Sequence, residues 1–301
     1  MFQLSVVLLL AISVITGCIC SLSRGYYTKK VPAGGFYLWF FNLLQNVFCA
    51  LGIFCVFFFS DAMGSFSLTS VLLGLLLGVA NVASLNGNLK ALAIGPFSYT
   101  TVIIYLSAII PTLSGLFFGE TISAVQYIGI VLMIICIILS PEQTNDDAQK
   151  KASTKWLIYC LIAALFTGMI GIIQKVHQNS DAKTEMATLL LTCFTVSALF
   201  AAFKLAFEFK RAKAQNQPTQ ISKTTWILPL IAGSLYAFPH SLNLFLAGKL
   251  PSIILFPIVN LTPMIILMVS GIFLFKEKLS LKRWIGVFFG ILSTIFVSGI
   301  I

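Results

Sequence analysis

The chain has 301 residues, of which 58% are hydrophobic and only 9% are charged, and its mean hydropathy is +1.00. An average soluble domain carries roughly 25% charged residues, so these values exclude a soluble enzyme, a nucleic-acid-binding domain and a disordered protein. The formal net charge of +10 therefore indicates orientation in a membrane rather than an anionic partner. We predict an integral membrane protein that is surrounded by the lipid bilayer and has no nucleic-acid partner.

The apolar residues form ten segments, each close to the roughly 20 residues that a helix needs to cross the hydrocarbon core. In chain order they are 2–22, 35–59, 68–89, 97–118, 124–140, 156–174, 186–207, 226–248, 252–275 and 284–301. The first segment has no positive residue before it, unlike a signal peptide, so we interpret it as a spanning helix. The predicted fold class is an all-α polytopic membrane protein with ten transmembrane helices.

The breaks between these segments carry nearly all the charge, and the first break is assigned Arg24, Lys29 and Lys30. All nine acidic residues are assigned to breaks or helix ends. The seven cysteines lie in apolar segments without a metal-ligand spacing, which is typical of packing residues. We therefore predict no catalytic residue, no metal site and no cofactor.

The two halves of the chain match each other in three blocks that occur in the same order. The matches are Phe118–Ser123 with Phe275–Ser280, Asn88–Leu89 with Asn243–Leu244, and Arg24 with Lys175. Such self-similarity indicates a repeat. The predicted organisation is a first five-helix repeat at 1–140, a cytoplasmic linker at 141–155 and a second five-helix repeat at 156–301.

An odd number of spans makes the second repeat enter the membrane from the opposite side, so the repeats are expected to be inverted copies. With ten spans, sixteen of the 19 basic residues fall on one side of the membrane, and three fall on the other, namely Lys175, Lys183 and Lys249. The positive-inside rule places the richer side in the cytoplasm. We predict a multi-pass protein of the cell membrane with both termini outside.

The matched blocks also carry a family pattern. Ala91–Pro96 followed by an apolar helix and Leu116–Ser123, repeated as Leu274–Ser280 and Trp284–Gly286, resembles the ten-helix EamA-like branch of the drug/metabolite transporter superfamily. Lys276 stands where that family commonly has glycine. The resemblance implies a solute carrier with a central cavity between the two repeats. Family substrates include amino acids, small metabolites, nucleotide sugars and quaternary amines, so the resemblance does not select one of them.

Polar side chains inside spans are costly unless they face protein or water, and so they indicate the interior. The candidate substrate-binding residues form stripes on five predicted helices. They are Trp39, Asn42, Asn81, Asn88, Tyr105, Tyr236, His240, Asn243 and Asn260. The alternative for each is interhelical hydrogen bonding that holds the bundle together. For His240, a proton relay and a neutral hydrogen-bonding role both stay open.

The absence of acidic residues from the predicted spans argues against drug–proton exchange and against a strongly cationic substrate. The predicted function is transport of a small neutral or zwitterionic metabolite, such as an amino acid, by alternating access, as an exporter or facilitator. Alternatives are uptake of a choline-like quaternary amine through an aromatic cage, multidrug export, and a polytopic membrane enzyme using the Asp146–Asp147 pair. The carrier is expected to act as a monomer or a homodimer.

Overall fold

The computed structural model describes residues 4–32, 34–59, 64–119, 123–139, 147–277 and 280–298. Within these ranges the chain is helical and contains no β-strand. The helices are α1 (Leu4–Lys30), α2 (Gly35–Phe59), α3 (Leu68–Ile94), α4 (Phe97–Tyr105), α5 (Ile109–Ser114), α6 (Ala124–Ile138), α7 (Asp147–Gln178), α8 (Met186–Ala214), α9 (Lys223–Ala247), α10 (Ser252–Leu274) and α11 (Leu281–Ser298).

Eight apolar segments in the described residues are long enough to cross a membrane. Seven of them lie within α1, α2, α3, α7, α8, α9 and α10, and the eighth is Phe97–Phe118, which joins α4 and α5. The two remaining predicted spans correspond to the shorter helices α6 and α11. The chain is therefore a multi-pass membrane protein, as predicted, while the full number of ten spans stays a prediction.

The span Phe97–Phe118 is interrupted near its middle by a 3₁₀ turn at Leu106–Ala108. Pro111 lies in α5, just after this turn. A proline has no N–H to donate to the carbonyl four residues earlier, which here belongs to Ser107, and its ring crowds that carbonyl. The tighter turn between α4 and α5 lies at this point.

Several predicted helix boundaries differ from the structure, and two of the differences affect the interpretation. Helix α1 continues to Lys30 instead of ending at residue 22, so Arg24 lies inside a spanning helix and not in a loop. Helix α7 begins at Asp147, so the second part of the predicted linker 141–155 is helical. In both cases the helix continues through charged residues, because backbone hydrogen bonding does not end where hydropathy falls.

The helices pack in pairs that mostly join the two halves of the chain. The closest neighbours are α1 with α9, α3 with α7, α2 with both α8 and α9, α3 with α8, α4 with α10, and α6 with α11. Gly87 and Gly233 mark two close approaches between helices. A Cβ atom at Gly87 would lie 3.1 Å from the Tyr159 carbonyl oxygen of α7, and one at Gly233 would lie 2.6 Å from the Gln45 carbonyl oxygen of α2. Small residues permit this backbone proximity.

Two glutamates bind helix N-termini from neighbouring segments. Glu185 accepts hydrogen bonds from the Ser65 hydroxyl (2.9 Å) and from the Ser67 backbone N–H (2.9 Å) and hydroxyl (2.6 Å), at the start of α3. Glu277 accepts from the backbone N–H groups of Phe97 and Ser98 at the start of α4. A carboxylate at a helix N-terminus satisfies free N–H groups and opposes the helix dipole.

These hydrogen bonds also affect the acidity of Glu185. They lower the pKa of its carboxyl from 4.5 to about 2, with the Ser67 hydroxyl as the largest cause. The contacts of Glu277 join the end of α10 to the start of α4 and are structural. Its repeat counterpart Glu120 lies outside the described residues.

Candidate substrate cavity

A cavity of about 160 Å³ lies at the centre of the bundle. Its walls come from α1, α3, the segment Phe97–Phe118, α7, α9 and α10. These elements belong to both halves of the chain, with three from each. Concave sites between helices of a bundle are the usual place for small-molecule binding.

Helix α1 supplies one regular wall of this cavity. Ser13, Gly17, Ser21 and Arg24 line it, and their spacing of four, four and three residues places them on one helical face. Gly17 has no neighbouring atom within 4 Å of the position its Cβ would take. Three small residues therefore leave room beside this part of α1.

Six of the nine predicted site residues line the cavity. They are Asn88, Tyr105, Tyr236, His240, Asn243 and Asn260. The structure thus brings together side chains from α3, α4, α9 and α10 that are as far apart in sequence as residues 88 and 260. Whether they bind a substrate stays a prediction.

The other three predicted residues lie outside the cavity lining. Asn42 and Asn81 take part in a polar cluster between α2, α3 and α8. In this cluster Asn81 Nδ2 donates to Asn46 Oδ1 (2.8 Å) and to Ser197 Oγ (3.0 Å), and Asn46 Nδ2 donates to Asn42 Oδ1 (2.8 Å). This arrangement corresponds to the alternative interpretation, hydrogen bonding between helices.

Trp39 has an apolar environment at the same interface. Its ring centroid lies 5.9 Å from that of Phe200, and it packs with Val82 and Ala201. Trp39, Asn42 and Asn46 of α2 therefore do not line the cavity. These residues face α8 and the neighbouring face of α3.

Hydrogen bonds between helices orient several lining side chains. The Ser13 hydroxyl donates to Asn243 Oδ1 (2.8 Å), joining α1 to α9. The hydroxyls of Ser21 and Tyr105 are 3.2 Å apart, and those of Ser84 and Thr167 are 2.7 Å apart. Polar side chains thus cross-link a largely apolar cavity wall at several points.

Other polar atoms of the lining are not used in this way. Among the described residues, Asn88 Oδ1 and His240 Nδ1 are buried and have no hydrogen-bond partner. The His240 ring contacts Tyr236 edge-to-face at 4.3 Å between centroids and Phe194 at 5.1 Å. Buried polar groups normally find a partner, so these two atoms leave hydrogen-bonding capacity unused next to the cavity.

Arg24 is the lining residue that sequence reasoning missed. Its side chain is only 6% exposed. Its Nε donates to Gln45 Oε1 at 3.0 Å, and its guanidinium carbon lies 4.5 Å from the centroid of the Tyr236 ring. A charged residue in a spanning helix costs about 2.5–3.5 kcal/mol on insertion scales and usually marks a functional site.

Two features of the sequence could have identified Arg24 as a lining residue. It continues the small-residue face of Ser13, Gly17 and Ser21 at helical spacing, and its counterpart in the second half is Lys175. Lys175 Nζ donates to the carbonyl oxygens of Ala247 (3.2 Å) and Leu250 (3.0 Å). The two matched cations therefore have different surroundings.

Metal ligands are not grouped in the parts of the chain that the structure describes. No three His, Cys, Asp or Glu side chains lie close enough there to hold a metal ion. The lining residues can therefore interact with a ligand through hydrogen bonds, aromatic contacts and one positive charge.

Comparison with known proteins adds family evidence for the second half of the chain. Residues 154–299 match the EamA-like transporter family. No curated protein matches the chain. A solved crystal structure, described only as that of a protein, has a TM-score of 0.59 and 12% identity, covering 98% of this chain and 97% of the other.

At that identity the solved structure shows a shared fold alone. The family match supports the motif resemblance at Leu274–Ser280 and Trp284–Gly286 directly, because both lie within the matched residues. The apolar helices and the central cavity agree with a membrane transporter. The resemblance is confirmed for the second half of the chain: residues 154–299 match the EamA-like transporter family, and the described helices are those of a multi-pass membrane protein.

Proposed function

We propose that the chain carries a small neutral or zwitterionic metabolite, such as an amino acid, across the cell membrane by alternating access, as an exporter or facilitator. The observation that carries this proposal is the central cavity, with walls from both halves of the chain. A site between two bundles is opened to either side when one bundle moves against the other.

The packing of the helices supports an inverted repeat. If 1–140 and 156–301 are equivalent, α1 corresponds to α7, α3 to α9, and α4–α5 to α10. The contacts α1–α9 and α3–α7 then exchange with each other, and α4–α10 and α6–α11 map onto themselves. This is the pattern expected of two copies related by a twofold axis, and five predicted spans in each copy would put that axis in the membrane plane.

The contacts at the helix ends support the proposed orientation. The end of α1, the α3–α4 junction and the end of α10 lie together, since Lys29 Nζ donates to the Gly95 carbonyl (3.0 Å) and Glu277 binds Ser98 N–H (2.8 Å). Most of the basic residues belong to breaks on this side of the bundle. The positive-inside rule makes it the cytoplasmic side, with both termini outside.

The charge of the cavity favours a neutral or zwitterionic substrate over a quaternary amine. Arg24 is the only residue with a permanent charge among the described lining residues, and it covers the face of Tyr236. That face would otherwise serve an aromatic cage. A cationic ligand would meet a like charge there without a carboxylate to offset it.

The described residues give no support to the alternative that the chain is a membrane enzyme using Asp146 and Asp147. Asp146 lies outside the described residues, and the side chain of Asp147 is not described. The described lining residues include no acidic side chain.

The test is solute uptake by the purified protein in liposomes. Saturable uptake of a small metabolite is expected, and Gly17→Trp should abolish it by filling the cavity. Leu72→Trp is the matched control, because Leu72 is 51% exposed on α3. The proposal fails if no small solute is taken up above protein-free liposomes, or if the two variants lower uptake equally.

A further inference from the structure

The guanidinium of Arg24 is only partly satisfied by the protein. Nε is bound by Gln45, and one face covers Tyr236, but Nη2 is buried and has no hydrogen-bond partner among the described residues. No carboxylate of a described residue lies within 4.0 Å of Arg24. A buried charge with a free donor is costly unless something binds it.

The described acidic side chains are engaged or placed elsewhere. Glu185 and Glu277 bind the starts of α3 and α4, and Glu208 lies 3.9 Å from Arg211. Asp181 is exposed in the turn before α8. The protein therefore supplies Arg24 with a positioning amide and an aromatic face but with no described counter-charge.

We infer that Arg24 binds the carboxylate of the transported substrate. Guanidinium donors match the planar geometry of a carboxylate, and Nη2 is the donor that remains. This inference rests on the proposed transport function and narrows its substrate to solutes that carry a carboxylate.

The count of cations favours a monoanionic group over a phosphate. The described cavity lining holds one permanent positive charge, Arg24. Lys29 and Lys175 do not line the cavity and donate to backbone carbonyls at helix ends. A phosphate, with close to two negative charges at neutral pH, would remain under-compensated.

A second group of the cavity suits the other end of an amino acid. Asn88 Oδ1 is a buried acceptor without a partner among the described residues, and an ammonium group is a donor only. A zwitterion thus finds a donor for its carboxylate and an acceptor for its ammonium in the same cavity. This selects an amino acid over a simple monocarboxylate as the better ligand.

The experiment measures binding separately from transport. The apparent melting temperature of the detergent-purified full chain is recorded with each common amino acid, since a ligand that binds the folded state raises it. The best amino acid is then compared with its amide, its decarboxylated amine, its deaminated acid and methyl phosphate. The amino acid should bind best and the deaminated acid second. The amide, the amine and methyl phosphate should not bind.

Variants test the role of the side chain itself. Arg24→Gln should weaken binding of that amino acid about 10- to 100-fold, the range expected for a lost charge-assisted hydrogen bond, and Arg24→Lys should lie between. Lys249→Gln is the matched control, because Lys249 is exposed at the end of α9. The ligand-free melting temperature of Arg24→Gln should not fall, since an under-compensated buried charge is removed.

The outcomes separate the two proposals. Wild-type protein that binds the amide, the amine or methyl phosphate as well as the amino acid overturns the inference, as does Arg24→Gln that keeps its affinity. Uptake of a solute without a carboxylate, unchanged by Arg24→Gln, leaves the transport function standing and refutes the inference. Where Arg24→Gln fails to fold, the comparison of ligands on wild-type protein still decides whether a carboxylate is required, and Arg24→Lys tests the side chain.

Discussion

Arg24 Nε donates a hydrogen bond of 3.0 Å to Gln45 Oε1, which joins the central cavity to a helix that does not line it. Gln45 lies on α2 and is fully buried. Its amide oxygen fixes the direction of the guanidinium, and its Nε2 has no partner among the described residues. The polar face of α2 thus acts on the cavity through a single contact.

Replacing Gln45 with glutamate should neutralise the positive charge of Arg24. Gln45→Glu keeps the shape of the side chain and places a carboxylate next to Arg24, so the substrate's carboxylate meets a neutralised pair. The apparent affinity for an amino acid substrate should fall about tenfold or more, while the protein stays folded. Uptake into liposomes and the shift in melting temperature with substrate measure this effect.

Gln217→Glu serves as the control, because it makes the same chemical change at an exposed position before α9. Gln45→Leu should have a smaller effect, since it removes a positioning contact but leaves the charge of Arg24. Equal affinities in wild type and Gln45→Glu would show that Arg24 does not meet the substrate.

Asn88 and Asn81 should give opposite phenotypes although they lie two turns apart on α3. Asn88→Ala removes a cavity acceptor without a described partner, so it should lower uptake and leave stability nearly unchanged. Asn81→Ala breaks bonds to Asn46 and Ser197, so it should cost about 0.6–1.7 kcal/mol of stability and leave substrate affinity nearly unchanged. Affinity and thermal stability measured on both variants decide the assignment. A common phenotype would contradict it.

The Glu185 hydrogen bonds should make stability fall in acid. Because the folded-state pKa is lowered to about 2 from 4.5, the ionised carboxylate stabilises the protein fully above pH 4.5. That stabilisation is lost as pH falls toward 2. Glu185→Gln should therefore melt at a lower temperature than wild type at neutral pH. The difference should shrink through this window, and a difference that does not depend on pH would show that ionisation of Glu185 is unimportant.

Gly17 and Gly233 should respond differently to the same added methyl group. Gly17→Ala meets no atom within 4 Å, so it should fold normally and restrict the cavity, which lowers the uptake of larger substrates first. Gly233→Ala drives a Cβ atom toward the Gln45 backbone and should cost about 1–3 kcal/mol. Uptake rates for substrates of increasing size and melting temperatures test both statements. Normal stability of Gly233→Ala would mean that α2 and α9 separate easily.

Hydropathy was sufficient to predict the membrane class and the approximate positions of the eight spans found among the described residues, because burial of about 20 apolar residues dominates the energy of insertion. It was insufficient at Arg24. A charge six residues from the end of α1 looks like a loop residue by hydropathy. The helix continues past it for about 9 Å at the normal rise per residue.

Periodicity could not separate the cavity from the interhelical cluster. Asn42 and Asn46 on α2 repeat at helical spacing, as do His240 and Asn243 on α9, and both patterns predict an interior face. Which neighbour that face meets depends on tertiary packing. On α2 the neighbours are α8 and Asn81 of α3, and on α9 they are α1 and the cavity.

The cluster of Asn42, Asn46, Asn81 and Ser197 has a consequence for biogenesis. Asn81 and its partner Ser197 are 116 residues apart, so α3 enters the membrane long before α8 is synthesised. Until then the Asn81 amide can bond to Asn46 on α2 but lacks Ser197. Insertion of α8 adds the second bond, so the cluster is complete only when the second half of the chain is in the membrane.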